Sequence, residues 1–96
     1  MSKGYVPYVQ FADLTTVVHT CSDDEKEIKV YIETPDDEHF FKTLELYLHD
    51  LTILKHIGYT DEEVRYWKMF CLRNYELIVE CAKEGGMFGA ENSNAG

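Results

Sequence analysis

Arginine occurs only twice in this 96-residue chain, at Arg65 and Arg73, and basic residues (9) are half as many as acidic ones (18). The formal net charge of −9 argues against non-specific binding to nucleic acid or to an anionic membrane, since both are polyanions. It suits a partner that is itself basic. Long apolar runs are missing too: none approaches the roughly 18 residues that a bilayer-crossing helix requires. The first residues, Met1-Ser2-Lys3-Gly4-Tyr5, lack the apolar stretch of a signal peptide. Cysteine is limited to Cys21, Cys71 and Cys81, an odd number without the spacing of a disulfide framework. These absences point to a reduced, cytoplasmic setting.

Recognisable catalytic and metal-binding patterns are equally scarce. The chain has no C-x-x-C, H-E-x-x-H, G-x-S-x-G or glycine-rich phosphate loop. His19 and Cys21 would share one strand face, and His49 and His56 one helix face, but neither pair has ligand-type spacing. Cys71 and Cys81 fall on apolar helix positions, where a free cysteine is normally an inert small hydrophobe. The expectation is a protein without catalytic residues, metal or cofactor.

What is present is apolar patterning. Hydrophobic residues make up 45% and aromatic residues 14% of the chain, enough for one small core and too much for a disordered chain. Tyr5 to Gln10 is a short apolar run interrupted by Pro7, which implies an edge strand or a bulge. Leu14 to Cys21 is rich in β-branched residues, and Glu27 to Glu33 alternates Ile28, Val30 and Ile32 against Lys29, Tyr31 and Glu33. With the polar link Ser22-Asp23-Asp24-Glu25-Lys26 between them, the two runs read as a β-hairpin. Pro35 is expected to end the second strand, because a proline cannot extend a central strand.

From Phe40 to Ile57, apolar residues at Phe40, Phe41, Leu44, Tyr47, Leu48, Leu51, Leu54 and Ile57 fit a helical stripe. Gly58 then supplies a helix stop, Thr60 and Glu63 a capping box, and Tyr59 with Val64 a hydrophobic staple. A second helix follows from Asp61 to about Glu84, with Val64, Trp67, Cys71, Tyr75, Ile78 and Ala82 on its main stripe. The fold class read from this pattern is α+β. An N-terminal antiparallel β-hairpin of two or three strands precedes an antiparallel two-helix hairpin packed on one sheet face. Residues 1–86 form a single domain, and residues 87–96 a disordered tail.

Both helices carry apolar residues beyond one stripe. Leu46 and Ile53 on the first, and Tyr66, Phe70 and Leu77 on the second, would need cover from outside the domain. The leading expectation is therefore a non-catalytic binding protein that forms a homodimer through these helix faces. A second reading places Asp23, Asp24, Glu25, Glu33, Asp36, Asp37 and Glu38 on an acidic surface. Such a surface would fill a basic groove of another protein, as a nucleic-acid mimic does. A third is a small-ligand pocket between sheet and helices, lined by Tyr31, His19, Trp67 and Tyr75. A DNA-reading helix-turn-helix is set aside, because the chain is acidic and the would-be recognition helix opens with Tyr66, Trp67 and Phe70.

Overall fold

The computed structural model describes residues 4–38 and 40–84. Five strands, β1 (Val6–Gln10), β2 (Thr16–His19), β3 (Lys29–Asp36), β4 (Phe40–Tyr47) and β5 (Ile53–Ile57), precede two helices, α1 (Asp61–Arg73) and α2 (Tyr75–Lys83). The strands form one antiparallel sheet in the order β1-β2-β3-β4-β5, so every strand pairs with its neighbour in sequence. The α+β class expected from the sequence is present. The expected tail at 87–96, and the glycine pair at 85–86, lie outside the described residues.

Two expectations are corrected. Residues 40–57 are not a helix but a β-hairpin, β4 and β5, so the sheet has five strands rather than two or three. Leu44, Leu46 and Leu48 alternate with Thr43, Glu45 and Tyr47, and the leucines are fully buried. Leu44 stands opposite Ile32, and Leu46 opposite Val30, so the leucines extend the apolar face that β3 already presents. The period of two wins because β3 offers those positions a partner. The hairpin loop closes with Leu51 at φ 62°, where Tyr47 N–H donates to the Thr52 carbonyl at 2.9 Å.

The second correction concerns the helix from Asp61 to Glu84. It breaks at Asn74, whose side-chain amide donates to the Phe70 carbonyl at 2.9 Å. A side chain competing for helix carbonyls is a known cause of such a bend. The antiparallel two-helix hairpin therefore does not exist, and α1 and α2 follow one another across a single residue.

Several local readings hold. Thr60 accepts from Glu63 N–H at 3.1 Å while Glu63 accepts from Thr60 N–H at 2.9 Å, which is the expected capping box. Tyr59 and Val64 are both buried, as a staple requires. Gly58 takes φ 84°, but it turns the chain out of β5 instead of ending a helix. β1 is a sheet edge with a register shift between Pro7 and Val9, so Pro7 sits at an edge and beside a bulge. Pro35, expected to end the strand, instead lies inside β3, because the pairing with β2 ends at Glu33 and the strand continues against β4 alone.

The helices cover one face of the sheet. Val17, Ile28, Val30, Ile32, Leu44, Leu46 and Leu48 pack against Val64, Trp67, Cys71, Ile78, Val79 and Ala82 in one cluster. Each buried valine, leucine or isoleucine among them contributes about 1.5–3 kcal/mol on burial. A chain of hydroxyls closes one end of this core. Thr34 Oγ1 lies 2.7 Å from both Thr15 Oγ1 and the Tyr59 hydroxyl. Burial pushes the Tyr59 phenol up to about 12, so it stays neutral within this chain.

Candidate interaction surface

The site begins with the angular bookkeeping of α1. Val64, Trp67 and Cys71 point into the core. Successive helical residues rotate by about 100°, so Glu62, Tyr66, Met69 and Arg73 fall on the side away from the sheet. Their spacing of four, three and four residues makes a straight seam along the helix. Tyr66 and Met69 on this seam are 60% and 47% exposed. Leu72 and Leu77, at 53% and 56%, lie beside and beyond it.

A shallow concavity of about 410 Å³ follows the seam, lined by Glu62, Arg65, Tyr66, Met69, Phe70, Arg73 and Asn74. Both arginines of the chain are therefore on this one surface. Neither makes an ion pair among the described residues, nor does Glu62. Behind the seam lies an aromatic wall. Trp67 meets Tyr66 edge-on at 4.9 Å between ring centroids and Phe70 at 5.4 Å, and Phe11 from the β1–β2 turn lies 5.8 Å from Trp67. Such contacts fix the rings in place, so Tyr66 is held by its neighbour while its face remains open.

The residues expected on helix faces separate. Tyr66 and Leu77 are exposed on α1 and α2, and Phe70 is half-buried beside Tyr8 and Phe11. Leu46 is fully buried in β4, so it belongs to the core and offers no surface. Ile53 stands on the edge strand β5 opposite Leu46, at the exposed margin of the sheet and not on a helix. Met69 also belongs to the apolar excess that the sequence shows beside the main stripe; the residues missed were Glu62, Arg65 and Arg73, and the four-three-four spacing from Glu62 to Arg73 was the signal available for the seam.

The acidic residues are distributed over turns and over the open sheet face. Asp24 accepts from Lys26 N–H at 3.0 Å, which caps a single 3₁₀ turn over Glu25–Glu27. Glu25 accepts the Tyr75 hydroxyl at 2.7 Å, and Asp36 accepts Glu38 N–H at 3.1 Å. Glu33 accepts the Tyr31 hydroxyl at 2.8 Å on the sheet face opposite the helices. Tyr5 bonds Glu45 on that face, and burial followed by this bond holds the Tyr5 phenol well above its usual range. Asp23, Asp37 and Glu38 are exposed.

The four side chains expected to line a ligand pocket do not converge. Tyr31 lies on the outer sheet face, whereas His19 and Trp67 are buried on the inner one, and Tyr75 is committed to Glu25. His19 is fully enclosed. Its Nδ1 faces the Thr20 carbonyl at 2.9 Å, and its Nε2 has no hydrogen-bond partner among the described residues. Burial therefore pulls its pKa below the ordinary histidine value. Cys71 is pushed by burial up to about 12, so it carries no thiolate near neutrality.

His49 and His56, expected on one helix face, occupy the β4–β5 turn and β5. His49 Nε2 lies 3.3 Å from Asp50, and His56 Nε2 lies 2.6 Å from the Tyr59 carbonyl. Among the described residues, no three His, Cys, Asp or Glu side chains stand together as a metal site would require. Among the same residues, no helix is long and apolar enough to cross a membrane. No family model matches the chain, and neither a curated protein nor a solved structure does.

Proposed function

We propose that this chain is a small, non-catalytic interaction protein of the cytoplasm that works as a homodimer through the outward faces of α1 and α2. The observation that carries this reading is the open seam of Tyr66 and Met69 flanked by the chain's two arginines, neither of which forms an ion pair among the described residues. Tyrosine, methionine and arginine are enriched in protein interfaces and supply most of their energetic anchors. Three free cysteines suit a reducing compartment.

Sedimentation of the full chain at tens of micromolar tests it. The expected result is a concentration-dependent dimer that Tyr66→Asp converts to monomer without loss of circular dichroism. A strict monomer across that range would overturn the dimer. The alternative of an acidic surface in a basic groove has less to support it. Asp24, Glu25, Glu33 and Asp36 already accept hydrogen bonds inside the chain, which leaves fewer carboxylates free for a partner.

A further inference from the structure

We infer that the two copies meet along α1 in antiparallel register, with Glu62 of each copy facing Arg73 of the other. This inference rests on the dimer reading above and goes beyond it by fixing orientation and register.

The charge order along the seam decides the orientation. Glu62 stands in the first turn of α1 and Arg73 in the last, with Tyr66 and Met69 between them. Glu62 and Arg73 are eleven residues apart, which is three turns, so they lie on one line of the helix surface. Two α1 helices packed in parallel would set Glu62 against Glu62 and Arg73 against Arg73. Packed antiparallel, they set Glu62 against Arg73 at both ends.

The register follows from the same four residues. The midpoint between Glu62 and Arg73 is also the midpoint between Tyr66 and Met69. A two-fold axis through that point therefore brings both charge pairs together and places two tyrosines and two methionines at the centre. A two-fold interface requires one patch to complement itself in this way. The four-three-four spacing is that of a helix pair packing knobs into holes. Arg65 on one flank and Phe70 on the other border the contact.

Charge reversal tests the arrangement with a readout that simple damage cannot imitate. Glu62→Arg places arginine opposite arginine in its own dimer, and Arg73→Glu places glutamate opposite glutamate. Each variant alone is expected to self-associate at least about tenfold more weakly than the native chain, because like charges face each other. Mixing the two variants restores opposite charges at both ends, so a heterodimer is expected to form with near-native affinity.

Circular dichroism confirms that each variant is folded. The milder pair Glu62→Gln and Arg73→Gln serves if a reversal disturbs α1, each then weakening self-association by a smaller factor. A native dimer that tolerates both single reversals, or a mixture that gains nothing over its components, would sink this register and leave the dimer standing. A monomeric native chain would remove both.

Discussion

The Tyr8 hydroxyl donates a hydrogen bond to Oδ1 of Asn74 across 2.8 Å, joining the bulged edge strand to the point where the helix breaks. Asn74 answers on its other side by donating to the Phe70 carbonyl. Tyr8→Phe is expected to lower stability by about 1 kcal/mol, the usual net value of one hydrogen bond. Asn74→Ala should let the helix run on from α1 into α2, with a rise in helical circular dichroism. A double-mutant cycle in urea measures the coupling, and a value near zero would mean that the bond does not set the break.

Thr60 and Glu63 define the start of α1 reciprocally. Thr60→Ala is expected to cost about 1 kcal/mol at neutral pH. The hydrogen bond from the Thr60 backbone, aided by Lys42, holds the Glu63 carboxyl below its usual range. A lowered carboxylate pKa adds stability above its unfolded value and loses it as pH falls through the folded one. The effect of Glu63→Gln should therefore be visible at pH 7 and should shrink steadily below about pH 4. An unchanged difference at pH 3 would contradict the charged cap.

His19 adds a second loss of stability on acidification, at higher pH than that of Glu63. Its buried Nε2 has no acceptor, so the folded chain holds it neutral while the unfolded chain binds a proton near pH 6.5. The unfolded state then carries more protons, and stability falls as pH drops below that value. The slope from this one group has a ceiling of about 1.4 kcal/mol per pH unit. Urea titrations of the native chain and of His19→Leu between pH 7.5 and 5 should differ in slope, with the variant flatter. Parallel slopes would show that His19 does not carry the dependence.

Phe40 adopts φ 65° while leaving its side chain 85% exposed, so it carries backbone strain with little burial in return. Asparagine tolerates that left-handed conformation. Phe40→Asn should raise stability by about 1 kcal/mol, the cost of placing an ordinary residue there. Phe41, next to it and opposite Pro35, has no positive φ to relieve. Phe41→Asn should instead lower stability, and thermal melts of the two variants moving in the same direction would refute the assignment.

Cys21 is exposed and Cys71 is buried with its pKa driven up. A thiol-titrating disulfide reagent should therefore modify Cys21 rapidly in the native chain and Cys71 only on unfolding. Cys71 reacting at the rate of Cys21 would contradict the packing of α1 on the sheet.

Local signals in the sequence announced the elements whose form is decided locally. The capping box at Thr60, the staple at Tyr59 and Val64, and the alternation around Val30 all stand as read. Residues 40–57 were ambiguous, because Leu44, Leu48, Leu51 and Leu54 satisfy a helical stripe while Leu44, Leu46 and Leu48 satisfy a strand. What resolves them is the row of Ile28, Val30 and Ile32, a non-local partner that periodicity within the segment does not contain. The same error moved Leu46 from the core to a supposed surface. The break at Asn74 was hidden for a similar reason, since the Asn74 amide is held by Tyr8, 66 residues away. The seam on α1 was partly legible: Tyr66 and Leu77 were marked as excess apolar residues, but the charges that order it were not read with them.

Because each strand pairs only with the one made just before it, the sheet can assemble in step with synthesis at the ribosome. Its oily side, however, has no cover among the described residues until Asp61–Lys83, the two helices, have been made. A ribosome that pauses after β5 therefore holds a nearly complete sheet with Val17, Val30, Ile32, Leu44 and Leu46 bare. The interval between β5 and the end of α2 is the time in which this apolar face stands uncovered.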